Sequence, residues 1–243
     1  MRLTRSHVDL PLQVGDEIAL PDDVAAHLLR VLRLQAGDAC VLFNGDGHDF
    51  DARIVANGKR EARAEILAAR RIDNESPLRI VLIQGIARGE KMDWILQKAT
   101  ELGVASILPV NSERSEVRLD AQRADKRLAH WRGIAISACE QSGRACLPVI
   151  PAPQSLAQAV LQREGRGFLL DPFAHASLAA LRDATMANCT IAIGPEGGWS
   201  PRDREQLVTA GFEGVRLGPR VLRTETAGIA AIAALQVLCG DFG

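Results

Sequence analysis

Beyond residue 77 the chain is written as short apolar runs, RIVLIQG at 79–85, ASILPV at 105–110, GFLLDP at 167–172, CTIAIG at 189–194 and VRLG at 215–218, and helical patterns separate most of them. Runs without apolar–polar alternation must be covered on both faces. Helices between them provide both the cover and the crossovers, so the predicted architecture is α/β with a mainly parallel sheet. The segment EKMDWILQKATELG at 90–103 shows the helical pattern: Met92, Ile95, Leu96, Ala99 and Leu102 share one face and Gly103 ends it. Up to about residue 71 the pattern differs. LFNGDGHDFDARIVANGKREARAEIL alternates around Asn44-Gly45-Asp46-Gly47 and Asn57-Gly58, which signals hairpins. One helix interrupts the strands, starting near Pro21-Asp22-Asp23, with Val24, Leu28, Val31 and Leu32 as its apolar stripe and His27, Arg30 and Arg33 off it. The polar stretch IDNESP at 72–77 breaks both periods and reads as a linker. The expected domains are therefore a small β-barrel with a helix over 1–72 and an α/β domain over 73–243.

Several classes of function are disfavoured by composition. No apolar run approaches the roughly 18 residues of a membrane span, and no signal-peptide pattern opens the chain, so a soluble cytoplasmic protein without membrane partners is expected. Five cysteines without C-x-x-C spacing read as free thiols, and no metal is expected. Basic and acidic residues number 29 and 30, which leaves any nucleic-acid contact to local patches.

In a parallel sheet, ligands bind beyond the carboxyl ends of the strands, where GPEGGWSP and LGPRVLRTE follow two strands in succession. Gly194, Gly197 and Gly198 allow backbone to approach a flat ligand, and Pro195 stiffens the turn. A phosphate loop would end in Gly-Lys-Ser/Thr, whereas Gly198 is followed by Trp199-Ser200. A dinucleotide fingerprint would lie near the first strand of the domain.

GPEGGWS at 194–200, LGPRVLRTETA at 217–227, EKMDWILQKATELGV at 90–104, ERS at 113–115, EQSGR at 140–144 and HLLRVLRLQAGD at 27–38 together resemble the RsmE family of 16S ribosomal RNA uridine-N3 methyltransferases over nearly the whole chain. The resemblance implies a PUA-like barrel followed by a SPOUT methyltransferase domain with a C-terminal trefoil knot. It also implies S-adenosylmethionine as cofactor, a homodimer, and 16S rRNA of the small ribosomal subunit as partner. By matching positions, Leu170, Gly194, Glu196, Gly198, Leu217, Gly218, Leu222 and Arg223 would contact the cofactor, with Pro195, Gly197, Arg220 and Thr226 from the same turns and adenine against Leu217 and Leu222.

Methylation at N3 of uridine needs an imide proton removed and negative charge stabilised on O2 and O4. Arg223 is the candidate stabiliser, Glu225 its orienting partner or the base, and Glu140 and Glu101 are rival bases. Arg114 and Arg144, in ERS and EQSGR, are candidate substrate contacts, Arg114 also a catalytic one. Arg2, Arg5 and His7, with His27, Arg30 and Arg33, form a candidate phosphate-tracking face on the barrel. Two alternatives stay open: a SPOUT enzyme acting on another RNA position, and a non-enzymatic RNA-binding module of ribosome assembly.

Overall fold

The computed structural model describes residues 3–57, 62–115, 121–182 and 185–243. The chain separates into two compact units, Met1–Glu75 with Cys139–Leu147, and Ser76–Ala138 with Pro148–Gly243.

The first unit is built on five strands, β1 (Arg5–His7), β2 (Glu17–Ala19), β3 (Ala39–Phe43), β4 (His48–Asn57) and β5 (Ala62–Arg71), hydrogen-bonded in the order β1-β3-β4-β5-β2. The β4–β5 ladder is antiparallel, as the Asn-Gly signal requires, and slips register between Asp51 and Ala52 and again between Ile54 and Ala56. Such irregularities increase local twist, which lets one sheet curl around Leu42, Phe50, Ile54 and Ile66. Between β2 and β3 lies helix α1 (Asp22–Ala25), continued by a π-helical turn over Ala26–Val31. Here the expected apolar stripe is corrected. The Leu32 N–H donates to His27 O, five residues back, so each hydrogen-bonded loop takes one residue more than in an α-helix. The extra residue keeps Leu28 buried but turns Val31 out, to 67% exposure, beside exposed His27, Arg30 and Arg33.

The first unit ends inside the IDNESP stretch, at Glu75, and it also takes in residues 139–147 from far along the sequence. The cause is a set of buried polar contacts. Arg5 Nη2 and Nε donate to Asp49 at 2.6 and 3.0 Å, its Nη1 donates to Cys139 O at 2.7 Å, and its Nη2 also reaches Arg144 O at 3.2 Å. Arg144 in turn donates from Nε and Nη2 to the two oxygens of Glu75, at 2.9 and 2.6 Å.

Among the described residues the second unit holds seven strands: β6 (Arg79–Gly85), β7 (Ser106–Asn111), β8 (Gln154–Ser155), β9 (Arg166–Leu170), β10 (Ala176–Ser177), β11 (Asn188–Ile193) and β12 (Phe212–Arg216). Their order is β10-β12-β9-β11-β6-β7-β8 and every ladder is parallel. Among the described residues the unit's α-helices are α2 (Glu90–Glu101), α3 (Ala121–Ser142, up to Ala138), α4 (Leu156–Val160), α5 (Pro201–Thr209) and α6 (Thr224–Cys239), with a 3-10 turn at Leu178–Leu181. Alternate residues of β6 divide the core. Ile80 and Leu82 pack with Met92, Ile95 and Leu96 of α2, Trp131 of α3 and Ile232 and Leu235 of α6. Val81 and Ile83 pack with Leu156 of α4 and Leu207 of α5. Both faces are thus covered, as the unalternating strands demand. The buried residues of α2 include Met92, Ile95, Leu96 and Ala99, and Gly103 beyond it has φ +83°, a left-handed stop.

All five cysteines are free, and burial pushes Cys40 and Cys139 up to about 11 and Cys189 up to about 12. Among the described residues no helix is long and apolar enough to cross a membrane, and no group of three His, Cys, Asp or Glu side chains is arranged to hold a metal.

Candidate active site

β9, β11 and β12 run parallel, so the turns that follow them emerge at one edge of the sheet. These turns, Asp171-Pro172-Phe173, Gly194–Ser200 and Leu217–Arg223, enclose a cavity of about 570 Å³. Its apolar lining includes Leu170, Ile193, Leu217, Leu222 and Ala227, and its charged lining is Lys91, Arg114, Asp171, Glu196, Arg204, Arg220 and Arg223. A mostly apolar cleft of this size carrying a few fixed polar groups is what a small-molecule site requires.

The glycines act in two ways. A Cβ on Gly194 would lie 3.0 Å from Gly198 C and Trp199 N, so the turn closes on itself only with glycine there. Gly198 has open space around it but sits at φ +66°, where a side chain strains the backbone. Both glycines, expected to admit a ligand, therefore serve first the shape of the turn. Ser200 ends the turn by capping α5: its hydroxyl accepts from Asp203 N–H, Asp203 Oδ2 accepts from Ser200 N–H, and Pro201 opens the helix.

A buried polar chain joins the two glycine turns from beneath. Thr224 Oγ1, in the first turn of α6, donates to Gly194 O at 2.6 Å and accepts from Gln84 Nε2 at 3.0 Å. Gln84, at the end of β6, is fully buried, and its Nε2 also reaches Gly85 O at 2.8 Å. Gln84 Oε1 has no partner among the described residues, so the amide acts here through its Nε2 donors, and the Thr224 hydroxyl, paired on both sides, fixes the start of α6 against the Gly194 carbonyl.

Both carboxylates of the cavity are held ionised. Burial pushes Glu196 up, but hydrogen bonds from its own backbone N–H, from Lys91 Nζ at 3.0 Å and from Arg88 N–H at 3.1 Å outweigh it and leave its pKa below the usual range. Asp171 is lowered mainly by Arg204, whose Nη2 donates to Oδ2 at 2.6 Å, against the opposing effect of burial. Arg114 Nη1 donates to Gly197 O at 3.0 Å and so braces the glycine turn from the ERS segment.

Residues 74–236 match a family profile described as an RNA methyltransferase domain, and residues 20–67 match one described as an RNA methyltransferase PUA domain. The ribosomal RNA small subunit methyltransferase E of Buchnera aphidicola subsp. Schizaphis graminum is 34% identical over 244 residues, covering 99% of this chain and 98% of the relative. The chain belongs to the ribosomal RNA small subunit methyltransferase E family. Within this family, the Neisseria gonorrhoeae enzyme, crystallised with S-adenosyl methionine bound, is 43% identical with a TM-score of 0.90 and full coverage of both chains. A Legionella pneumophila methyltransferase in complex with the same cofactor is 37% identical with a TM-score of 0.93, again covering both chains fully.

Of the site residues expected from sequence, this member of the family brings Leu170, Gly194, Pro195, Glu196, Gly197, Gly198, Leu217, Arg220, Leu222, Arg223 and Arg114 to the wall of one cavity. Gly218 and Thr226 lie in the same segments but not on its lining. Glu225 is in the first turn of α6, and its Oε2 is buried with no donor among the described residues. The anticipated Arg223–Glu225 ion pair does not form; Arg223 is exposed, in extended backbone at the start of α6.

Glu140 Oε1 accepts from His7 N–H at 3.0 Å, within the first unit. Two expectations need correction. Arg5, expected to contact phosphate, and Arg144, expected to contact substrate, are 8% and 4% exposed and committed to Asp49 and Glu75, since a buried guanidinium must be neutralised. Glu101 takes the ordinary reading, an i,i+3 pair with Lys98 at 2.9 Å. Arg2 lies outside the described residues. His27, Arg30 and Arg33 are exposed as expected, Arg33 with φ +60°.

Sequence reasoning missed Asp171, Phe173, Arg204, Thr224 and Gln84. The Asp171-Pro172 turn satisfies the same criterion as the glycine turns, being the carboxyl end of a parallel strand. Gln84 was visible as the one polar residue inside an apolar strand. Nothing local marked Arg204.

Proposed function

We propose that this chain transfers the methyl group of S-adenosylmethionine to N3 of a uridine in the 16S rRNA of the small ribosomal subunit, acting as a homodimer in the cytoplasm. The observation carrying this reading is that both glycine turns meet in one cavity, in a chain 43% identical to a relative crystallised with that cofactor. The residues present fit it: Leu170, Leu217 and Leu222 offer an apolar bed for adenine, and the backbone of the two turns offers donors and acceptors at its edge. The trefoil knot belongs to the same reading, supported by the strand order β12-β9-β11-β6 and by the Thr224 bond from the start of α6 to Gly194.

When bound, the cofactor supplies an electrophilic methyl on a good sulfonium leaving group. The protein's part is to position the uracil and stabilise its anion. Arg223 suits that task, because a planar, permanently charged fork matches charge shared by two carbonyl oxygens. Glu196 and Asp171 are ion-paired and poor bases. Glu225 Oε2, without a donor among the described residues, is the carboxylate we assign to accept the N3 proton. Exposed His27, Arg30 and Arg33 of the first unit are assigned to phosphate contact.

Mass spectrometry of small-subunit rRNA from a strain lacking the gene tests the reading. One uridine should lack a single methyl group on its base, and the purified protein with S-adenosylmethionine should restore it. A missing methyl on a ribose or another base would reassign the target, and unchanged rRNA would refute the activity.

A further inference from the structure

Aromatic side chains are scarce in this protein, with six phenylalanines, three tryptophans and no tyrosine, and most are used in the core. Phe43, Phe50, Phe168 and Phe212 are buried, whereas Phe173 is 84% exposed and lines the cavity. Its turn is built firmly. Asp171, itself buried, donates from its N–H to Val215 O at 2.9 Å, while its backbone carbonyl accepts from Ala174 N–H at 3.1 Å. Its Oδ1 accepts from Phe173 N–H at 3.1 Å, and its Oδ2 accepts from Arg204. A buried, ion-paired carboxylate is a costly way to hold a surface turn, and here it holds a bare aromatic ring at a ligand cavity.

The same cavity is lined by Val221, 74% exposed, and by the exposed guanidiniums of Arg220 and Arg223, neither of which is ion-paired among the described residues. An exposed ring carried on a pinned turn beside unpaired arginines suits a nucleobase with its flanking phosphates, since stacking needs only a π-face and the guanidiniums meet the anionic backbone. Large apolar surface left in water at a site edge marks a contact made only in the complex. We propose that Phe173 is the platform on which the target nucleobase of the RNA stacks as it turns out of its strand towards the cavity, with Arg220 taking an adjoining phosphate. This assignment rests on the reading of the cavity as a methyl-transfer site.

The test uses Phe173→Ala, Phe173→Leu and Phe173→Trp in the full chain. Steady-state methylation of unmethylated small subunits from a strain lacking the gene is measured with calorimetry of S-adenosylmethionine binding and light-scattering mass. Phe173→Ala and Phe173→Leu should each raise KM for the subunit about tenfold or more, the scale of one base–aromatic stack, while Phe173→Trp retains the wild-type value. Cofactor affinity and mass should stay those of wild type in all three. Rescue by Leu as complete as by Trp would overturn the stacking role, because only apolar bulk would then be required. It would equally be overturned by weakened cofactor binding, a changed mass, or an unchanged KM in Phe173→Ala. Wild-type protein inert on these subunits would instead overturn the methyl-transfer reading itself.

Discussion

Two arginines of the first unit, Arg5 and Arg144, and two of the second, Arg220 and Arg223, serve opposite purposes. In the first, Arg5 is buried, donates to Asp49 and two backbone carbonyls at 3.2 Å or less, and lies 4.5 Å from the Phe43 ring centre; Arg144 is buried on Glu75. In the second, Arg220 and Arg223 stand exposed on the cavity lining, without ion pairs among the described residues. The difference is one of desolvation. A guanidinium removed from water must have its charge and its N–H groups matched by the protein, and once matched it has nothing left for a ligand. An exposed guanidinium keeps its capacity to bind.

The largest effect that would break this comparison is on stability. Arg5→Ala leaves the Asp49 carboxylate buried without its counter-ion and frees two backbone carbonyls, so unfolding free energy should fall by about 3–5 kcal/mol. Urea denaturation measures it. A loss below about 1 kcal/mol, the size of a surface pair, would place Arg5 with the exposed arginines after all.

Arg223→Lys sharpens the other half of the comparison. Keeping the charge while losing the fork should reduce single-turnover methyl transfer roughly a hundredfold with cofactor and subunit saturating, and should leave the unfolding midpoint unchanged. If the midpoint fell with the rate, Arg223 would be a structural arginine like Arg5.

The smallest effect is expected at the π-helical turn of the first unit. Replacing Arg30 and Arg33 together by Ala should weaken RNA binding and lower the slope of log K against log salt by about two, one per lost phosphate contact. Titrations with 16S rRNA fragments at several salt concentrations provide the check, and an unaltered slope would make this face plain solvated surface.

The same contrast explains what was legible before the structure. Nine of the eleven anticipated positions that line the cavity lie in two contiguous motifs whose glycines and strand ends are local signals. Arg5 and Arg144 are misread in the sequence because they look no different there from exposed Arg30. Their partners are far away in it: Asp49 is 44 residues from Arg5, Cys139 is 134, and Glu75 is 69 from Arg144. The apolar stripe of the first helix failed for a different reason, since one i→i+5 turn changes which side chain faces inward.

By itself the sequence determined what depends on near neighbours: unalternating strands that need cover on both faces, the amphipathic α2 with its left-handed stop at Gly103, and tight turns at the carboxyl ends of two strands. Side-chain period and backbone sterics act over a few residues, so they can be read in order along the chain. Tertiary structure alone decided that Cys139–Leu147 packs with the first unit, that Gln84 and Thr224 lock the glycine turns, and that Asp171 holds Phe173 out on the cavity lining. Each of these depends on the free energy of burying a polar group, and that is set by a partner brought near only when distant segments pack.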